Sequence, residues 1–245
     1  VNTVVDYYHK FITRFPSIKS LSDANEDDVL KYWEGLGYYS RVRNFHTAIK
    51  EVNHKHGGEV PTDPEIFKKL KGVGPYTLAA VMSIAFNHPL ATVDGNVFRV
   101  WSRLNNDFRD TKLQTTRKAY ETELKPYVQD NSGTFNQAMM ELGALICTPK
   151  SPLCLFCPVQ DHCEAFHNRT TQELPVKTKN IKKRTLNQKV FLIRNDEGKY
   201  LLEKRKDKLL NGMWQFPMRE ASVADNKITK DIGCLLYTSP SPRDS

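Results

Sequence analysis

The chain has 245 residues, and its 36 Lys and Arg against 28 Asp and Glu give a formal net charge of +8. This length allows one large or two modest domains, and the charge permits a polyanionic partner such as DNA without proving one. No apolar stretch approaches the ~20 residues of a membrane span and no signal peptide opens the chain, so we expect a cytoplasmic protein that does not enter a membrane.

Residues 1–168 follow a helical period. Apolar residues at helical spacing predict a first helix that Pro16 ends, and Asp27 begins another that breaks at residues 35–37. A third helix is predicted over residues 39–53, ending at a pair of glycines.

A glycine-rich turn separates the next two predicted helices, within residues 62–86. Thr62 and Glu65 have the spacing of a capping box at the start of the first one. Pro75 begins the second, whose interior is apolar on most sides, as is typical of a helix in the middle of a bundle. Glycines in such a turn let the backbone approach DNA closely, and free N–H groups at the start of the second helix can bind a phosphate.

An acidic turn, Val-Asp-Gly-Asn-Val at residues 93–97, precedes another helical pattern. The helix dipole favours the ionised form of Asp94 at this position. Taken alone, Asp94 would be an ordinary helix N-cap. The hairpin about twenty residues upstream favours a catalytic carboxylate instead. A further amphipathic helix is predicted over residues 135–146.

Four cysteines follow at the spacing C-x6-C-x2-C-x5-C, within a proline-rich segment: Cys147, Cys154, Cys157 and Cys163. Clustered thiols in a cytoplasmic protein hold metal more often than disulfides. Zinc and a 4Fe–4S cluster both accept four cysteines, and the spacing leaves the two open. We expect a structural role that also docks DNA, with Lys150 able to reach a phosphate.

The pattern changes after residue 168. Residues 169–188 are rich in lysine and poor in apolar residues, which predicts a solvated linker. Strand-like runs at 189–193 and 199–202 flank a turn, which predicts a hairpin and the start of an α+β domain over residues 189–233. Residues 234–245 can be encoded by a string that resembles a transposase adapter used in sequencing libraries, so we interpret them as a translated adapter.

Several of these motifs, in this order, resemble those of the endonuclease III superfamily of DNA glycosylases. They are Gly-Val-Gly at 72–74, Val-Asp-Gly-Asn-Val at 93–97 and the four-cysteine loop at 147–163. Within the superfamily, three further segments resemble the MutY-type adenine glycosylases: Gly-Leu-Gly-Tyr-Tyr-Ser-Arg at 35–41, Phe-Asn-Gln-Ala-Met-Met-Glu-Leu-Gly at 135–143 and Trp-Gln-Phe-Pro at 214–217. The resemblance covers about residues 1–220.

The resemblance implies a mainly α helix-hairpin-helix glycosylase fold with a four-cysteine iron–sulfur loop, followed by a partial α+β Nudix-like domain that recognises 8-oxoguanine. It favours a 4Fe–4S cluster over zinc. It implies a monomer, associated with the nucleoid, whose partner is double-stranded DNA containing an A:8-oxoG or A:G mispair. The adenine would be flipped out of the duplex, because its glycosidic bond is otherwise inaccessible.

The resemblance also assigns roles to single residues. Asp94 matches the catalytic aspartate, which stabilises an oxocarbenium-like sugar, and Asn96 would orient it. Tyr76 would lie against the sugar; because it cannot form the Schiff base that a lysine forms here in lyase-competent relatives, we expect a monofunctional glycosylase. The remaining residues would bind the substrate or DNA: Leu36, Tyr38, Lys71, Gly72, Val73, Gly74 and, in the adenine pocket, Gln137.

The family's general acid is a glutamate in a stretch resembling Glu-x-x-x-Gln-Gln-Thr, which would come before Val1. We therefore expect little or no adenine excision from the chain as printed, although mismatch binding could survive. No Nudix catalytic box is present, so we expect no pyrophosphatase activity. Three alternatives stay open at this stage: a pyrimidine-specific glycosylase, a non-catalytic DNA-binding module and a zinc-binding structural protein.

Overall fold

The computed structural model describes residues 2–178, 185–207 and 210–221. The chain divides into two compact units, Val1–Lys179 and Asn180–Ser245. The first unit is helical, and the described part of the second consists of short antiparallel strand pairs. No helix in the described ranges is long and apolar enough to cross a membrane.

The helices of the first unit are short to medium in length and are joined by tight turns. In chain order they are α1 Asn2–Arg14, α2 Ile18–Ser22, α3 Glu26–Tyr32, α4 Tyr39–Lys55, α5 Pro64–Phe67, α6 Pro75–Phe86, α7 Gly95–Leu104, α8 Gln114–Leu124, α9 Ser132–Glu141 and α10 Glu164–His167. A π-helical turn, Leu142–Ile146, continues α9 directly to Cys147. Short 3₁₀ turns lie at Lys125–Val128, Cys154–Phe156 and Gln160–His162.

The first four helices share one apolar core, built on Phe15, Leu21, Val29, Val42 and Ile49. Two of these helices, α2 and α3, begin where a side chain satisfies a free backbone N–H group. In α3 the side chain of Asn25 accepts the N–H of Asp27 at 3.0 Å, and three acidic residues follow in the first turn, where the helix dipole favours negative charge. The short α2, which the sequence pattern did not indicate, begins with a capping box between Ser17 and Ser20.

A second core surrounds α7, the helix that follows the acidic turn. Its buried members are Val93, Val97, Phe98, Val100, Tyr120, Leu124 and Met139. Val93 lies just before α7 and the others come from α7, α8 and α9, so α8 and α9 hold α7 in place. This packing makes α7 a rigid base for the residue at its N-terminus.

Two expectations about the hairpin helices were wrong. The capping box at Thr62 and Glu65 does not form, because Asp63 is the N-cap of α5 and its Oδ1 accepts the N–H of Glu65 at 2.7 Å. Helix α6 is not buried on most sides: Ala79, Met82 and Ser83 are buried, whereas Ile84 is 45% exposed. An apolar sequence does not by itself surround a helix with partners, and the main neighbour of α6 is α9 on one side.

The described part of the second unit pairs strands that are distant in sequence. Strand β1 Gln188–Val190 pairs antiparallel with β4 Met218–Glu220, and β2 Glu203–Lys204 pairs with β3 Trp214–Gln215. The long hairpin expected from 189–193 and 199–202 is reduced to a bridge between Arg194 and Tyr200 around the turn. Around this bridge the N–H of Leu201 bonds the Ile193 carbonyl and the N–H of Asn195 bonds the Lys199 carbonyl, each at 2.9 Å, so the hairpin forms but is shorter than expected. Residues 222–233 of the predicted domain and the adapter-like segment, 234–245, lie outside the described residues.

Candidate functional site

The carboxylate of Asp94 is fixed at the N-terminus of α7. Its Oδ1 accepts the backbone N–H groups of Asn96 at 2.9 Å and of Val97 at 2.8 Å, and its Oδ2 accepts the Asn96 side-chain amide at 3.2 Å. These are its only hydrogen bonds in the described chain, and the residue is half-buried. The carboxylate is therefore held in one orientation by its own helix, while Oδ2 keeps capacity for a further partner.

The backbone that leads into Asp94 is anchored by two other helices. The buried amide of Asn136, on α9, accepts the N–H of Thr92 at 2.9 Å and donates to Ser83 Oγ at 2.9 Å and to the Leu90 carbonyl at 2.8 Å. Arg117, on α8, donates to the carbonyl of Val93. Neither residue was singled out by the sequence, although both set the position of the catalytic candidate.

A chain of hydrogen bonds joins Asp94 to the first cysteine. Asn96, which binds Asp94, accepts a bond from Arg99 Nη2 at 2.8 Å. The same Arg99 donates to the Gly143 carbonyl at 2.6 Å and, through Nε, to the Cys147 carbonyl at 2.6 Å. Burial lowers the pKa of this guanidinium from its ordinary value.

The close approach of the π-turn to α7 requires a glycine at position 143. A Cβ there would stand 2.6 Å from the Asn96 Cβ and 3.1 Å from its Cα, well inside van der Waals contact. Gly143 thus lets the residue that orients Asp94 pack directly against the segment leading to the cysteines. π-turns of this kind are frequent at functional sites.

The four cysteines line one small cavity together with Arg103. All four are free thiols and half-buried, and burial raises the pKa of Cys154 and of Cys163. Within the described residues, no group of three or more His, Cys, Asp or Glu side chains is placed to hold a single metal ion. The fold therefore places the four cysteines around one shared space.

Arg103 ties the cysteine loop to α7, four residues after Arg99. Its guanidinium is buried and donates to the carbonyls of Thr148 at 2.8 Å, Pro149 at 3.2 Å and Leu174 at 3.1 Å, with Cys147 Sγ at 3.3 Å. Sequence reasoning missed both arginines. The signal that could have found them is a pair of cations at helical spacing in a helix that is otherwise mostly apolar.

The glycine-rich turn joins α5 to α6 as a tight hairpin. Gly72 has φ +83°, and a Cβ there would meet the Asn44 side chain at 2.6 Å. Gly74 is the N-cap of α6 and offers no side chain to the first N–H groups of that helix. Lys71 and Tyr76 are exposed and Val73 is half-buried. The turn therefore presents free backbone donors at an open helix N-terminus.

The other predicted site residues lie on separate elements. Leu36 is half-buried and Tyr38 is 77% exposed, both in the loop before α4. Gln137 is exposed on α9, where its amide donates to the Gly133 carbonyl at 3.1 Å. The structure thus brings Asp94, Asn96 and Cys147 into one bonded network, whereas Tyr76, Gln137 and the loop residues make no hydrogen bond to Asp94.

Comparison with known proteins gives a consistent picture. A family model described as "HhH-GPD superfamily base excision DNA repair protein" matches residues 1–126. The chain is 40% identical over 174 residues to the adenine DNA glycosylase of Schizosaccharomyces pombe, covering 69% of this chain and 37% of that protein. It is 33% identical over 230 residues to the adenine DNA glycosylase of Buchnera aphidicola subsp. Schizaphis graminum, covering 91% of this chain and 65% of the relative.

Among solved structures, a thermostable thymine-DNA glycosylase superimposes with a TM-score of 0.59 at 28% identity, over 67% of this chain and 76% of that one. The fold of the helical unit is thus that of a DNA glycosylase. The chain spans about a third of the length of the yeast relative and about two thirds of the bacterial one.

Proposed function

The chain belongs to the HhH-GPD superfamily of base excision DNA repair proteins, and we propose that it works as an adenine DNA glycosylase, which removes adenine mispaired with 8-oxoguanine or guanine from double-stranded DNA. One observation carries the proposal: a carboxylate locked at the N-terminus of a rigid helix, with one oxygen still able to take a partner. The relatives of the chain from Schizosaccharomyces pombe and Buchnera aphidicola are both named adenine DNA glycosylase, which supports the proposal.

The proposed chemistry begins with a flipped adenine nucleotide beside Asp94. As the bond between adenine and C1′ breaks, positive charge develops on the sugar, and the Asp94 carboxylate stabilises it. Water then adds to C1′ and loses a proton. Asn96 keeps Oδ2 turned towards the sugar, since its amide bonds that oxygen at 3.2 Å. The departing base needs a proton from a general acid, a role that we assign to no residue of this chain.

The residue at position 76 decides whether the DNA strand is cut once the base has been removed. A lyase reaction needs an amine that forms an imine with C1′ of the sugar, and the phenol of Tyr76 cannot supply one. Tyr76 is 46% exposed on the first turn of α6, where it could lie against the sugar. We therefore propose hydrolysis of the glycosidic bond without strand cleavage.

DNA would bind along the hairpin and the loop before α4. The turn at residues 71–74 leads to the start of α6, where free N–H groups would bind a DNA phosphate. Such a contact would fix the position of the protein along the duplex without recognising the base sequence. Leu36 and Tyr38 would probe the base stack opposite the adenine, and Gln137 would line the adenine pocket. The excess of cations supports a polyanionic partner.

We assign the four cysteines to a 4Fe–4S cluster. Four thiolates are the ligand set that such a cluster requires. The four cysteines line one cavity, and the resemblance to the endonuclease III superfamily favours this cluster over zinc, which also accepts four cysteines. When bound, the cluster would hold the loop in shape; Arg103 and Arg99 would connect that loop to α7 and Asp94.

The second unit would begin a Nudix-like domain, residues 189–233. Of the predicted linker, 169–188, the part up to residue 178 belongs to the helical unit, where Leu174 is buried and bonded by Arg103. The bacterial relative aligns over 91% of the chain, which supports a continuation of the family resemblance beyond the helical unit. The domain would recognise 8-oxoguanine and have no pyrophosphatase activity. The same proposal implies a monomer acting on nucleoid DNA in the cytoplasm.

A duplex panel tests the proposal. The chain, in excess over DNA, is incubated with A:8-oxoG, A:G, T:G and A:T duplexes, and both binding and released base are measured. We expect preferential binding to A:8-oxoG and slow release of adenine that Asp94→Asn abolishes without weakening binding. Asp63→Asn is the matched control, because Asp63 caps α5 in the same way and lies outside the proposed site.

Other outcomes would redirect the assignment. Release of thymine and not adenine would favour a pyrimidine-specific enzyme, an alternative that the likeness to a thymine-DNA glycosylase keeps in view. Equal binding to all four duplexes would contradict an adenine glycosylase.

A further inference from the structure

The loop before α4 presents a tyrosine in an unusual backbone conformation. Tyr38 has φ +49° and ψ +51°, the left-handed region that side chains other than those of Asn, Asp and Gly rarely adopt. Its side chain is nevertheless 77% exposed, so burial of the ring does not compensate for the backbone strain. A strained residue that shows its aromatic ring to solvent marks a candidate for contact with a ligand.

The backbone of this loop is held from within the protein. Gly35 and Gly37 have φ +94° and +67°, conformations open to glycine at little cost. The indole N–H of Trp33 donates to the Gly37 carbonyl at 3.0 Å. At Gly35, a Cβ would collide with the Tyr7 hydroxyl. The loop is therefore preorganised before any ligand arrives.

The ring of Tyr38 is held by an arginine on the same helix. The guanidinium carbon of Arg41 lies 4.7 Å from the ring centroid, a cation–π geometry. Arg41 is on the first turn of α4 and its own backbone N–H bonds to the Tyr38 carbonyl at 2.8 Å. One face of the ring is covered by the guanidinium, and the high exposure leaves room for a partner on the other.

We propose that Arg41 is a positioning residue for Tyr38: it holds the ring in the orientation that stacks against a base of the mispaired duplex. This inference rests on the proposed function and explains how the loop before α4 would distinguish mispaired from fully paired DNA. A ring fixed before binding loses less conformational freedom when it stacks, which increases affinity for a duplex whose base stack is easily opened. A mispair opens more easily than a Watson–Crick pair, so the gain is greatest for mispaired DNA.

A competing role for Arg41 is a direct contact with a phosphate. Removal of such a contact would weaken binding to all duplexes equally and would reduce the salt dependence of binding by about one charge. It would also act whether or not the tyrosine is present. A positioning role requires the ring.

A double-mutant cycle separates the two roles. Dissociation constants of the full chain for A:8-oxoG and A:T duplexes of one sequence are measured for Arg41→Ala, Tyr38→Ala and the double variant. Tyr38→Phe keeps the ring, Arg41→Lys keeps the charge, and Lys50→Ala removes an exposed charge further along α4 as a control. Thermal melting verifies that each variant is folded.

We expect Arg41→Ala to reduce the preference for A:8-oxoG about 3-fold, the size of an exposed cation–π contact, and to have no further effect in the Tyr38→Ala background. Tyr38→Phe should retain the coupling, and Arg41→Lys should restore part of the preference. The fluorescence of 2-aminopurine placed next to the mispair should change on binding of the unsubstituted chain and less so with Arg41→Ala.

The inference is overturned if Arg41→Ala weakens both duplexes equally, or has the same effect with and without the tyrosine. These outcomes differ from failure of the proposed function, which appears in the unsubstituted chain as the absence of any preference for A:8-oxoG. That result would overturn both.

Discussion

Replacing Gly143 by alanine should destabilise the protein, against the usual direction of that change in a helix. A glycine in a helix interior ordinarily costs about 1 kcal/mol relative to alanine, so the substitution is normally favourable. Here the new Cβ would stand 2.6 Å from the Asn96 Cβ, 3.1 Å from its Cα and 3.2 Å from its carbonyl oxygen. Two of these three atoms belong to the backbone and cannot rotate away.

The backbone of Asn96 also has little freedom to move aside. Its N–H is bonded to Asp94, and its side chain is held between Asp94 and Arg99. Overpacking at a rigid position costs about 1–3 kcal/mol. We take the upper part of that range and subtract the gain in helix propensity, which leaves a net loss of about 1–2 kcal/mol. For a chain of this size the melting temperature should fall by about 2–8 °C.

Thermal melting followed by circular dichroism tests this expectation, with two other glycines as controls. Gly95→Ala introduces a Cβ with no atom within 4 Å and should be neutral or stabilising. Gly133→Ala places a Cβ 2.8 Å from the Ser83 carbonyl oxygen, at the N-terminal end of α9, and should destabilise without disturbing Asn96. If Gly143→Ala melts at the same temperature as Gly95→Ala, the close packing of the π-turn on Asn96 is refuted.

Three further predictions concern the cysteine loop, pH and the sugar site. Arg103→Met leaves one buried and two partly buried carbonyls without their donor, so the free energy of unfolding in urea should fall by about 3 kcal/mol, with less iron bound per chain. Burial lowers the pKa of His46, so the unfolded chain binds a proton at this residue more tightly than the folded chain does. The folded state therefore has its full stability above pH 6.5, the ordinary pKa of histidine, and loses stability as the pH falls through the lowered pKa. His46→Asn should flatten the pH dependence of the free energy of unfolding in urea over that range. Tyr76→Lys should form an imine with abasic-site DNA that borohydride traps, and absence of the trapped product would place position 76 away from the sugar.

The parts of the site that the sequence predicts are those that depend on neighbours in the chain. Asp94 lies directly before an apolar helical pattern, so its capping role follows from positions 94–97 alone. The glycines of the hairpin likewise report the backbone conformation of their own turn.

The parts that the sequence does not predict depend on contacts between distant segments. Arg103 meets Leu174, 71 positions away, and Asn136 meets Thr92, 44 positions away. The local pattern does not identify these distant partners, even where, as for Arg103, it marks a residue as unusual. The sequence does not predict the pairing of β1 with β4 for the same reason: a local pattern favours pairing with the neighbouring strand of a hairpin.

The most direct test of the central claim uses a duplex that carries a cationic sugar mimic. A pyrrolidine nucleotide placed opposite 8-oxoguanine bears positive charge where the oxocarbenium ion develops, and a tetrahydrofuran nucleotide at the same position is its neutral counterpart. This comparison needs no general acid. If the Asp94 carboxylate faces the sugar, the chain should bind the cationic duplex ~10-fold or more tightly than the neutral one, and Asp94→Asn should remove that preference. Equal affinity for the two duplexes, or a preference that survives Asp94→Asn, would contradict the account.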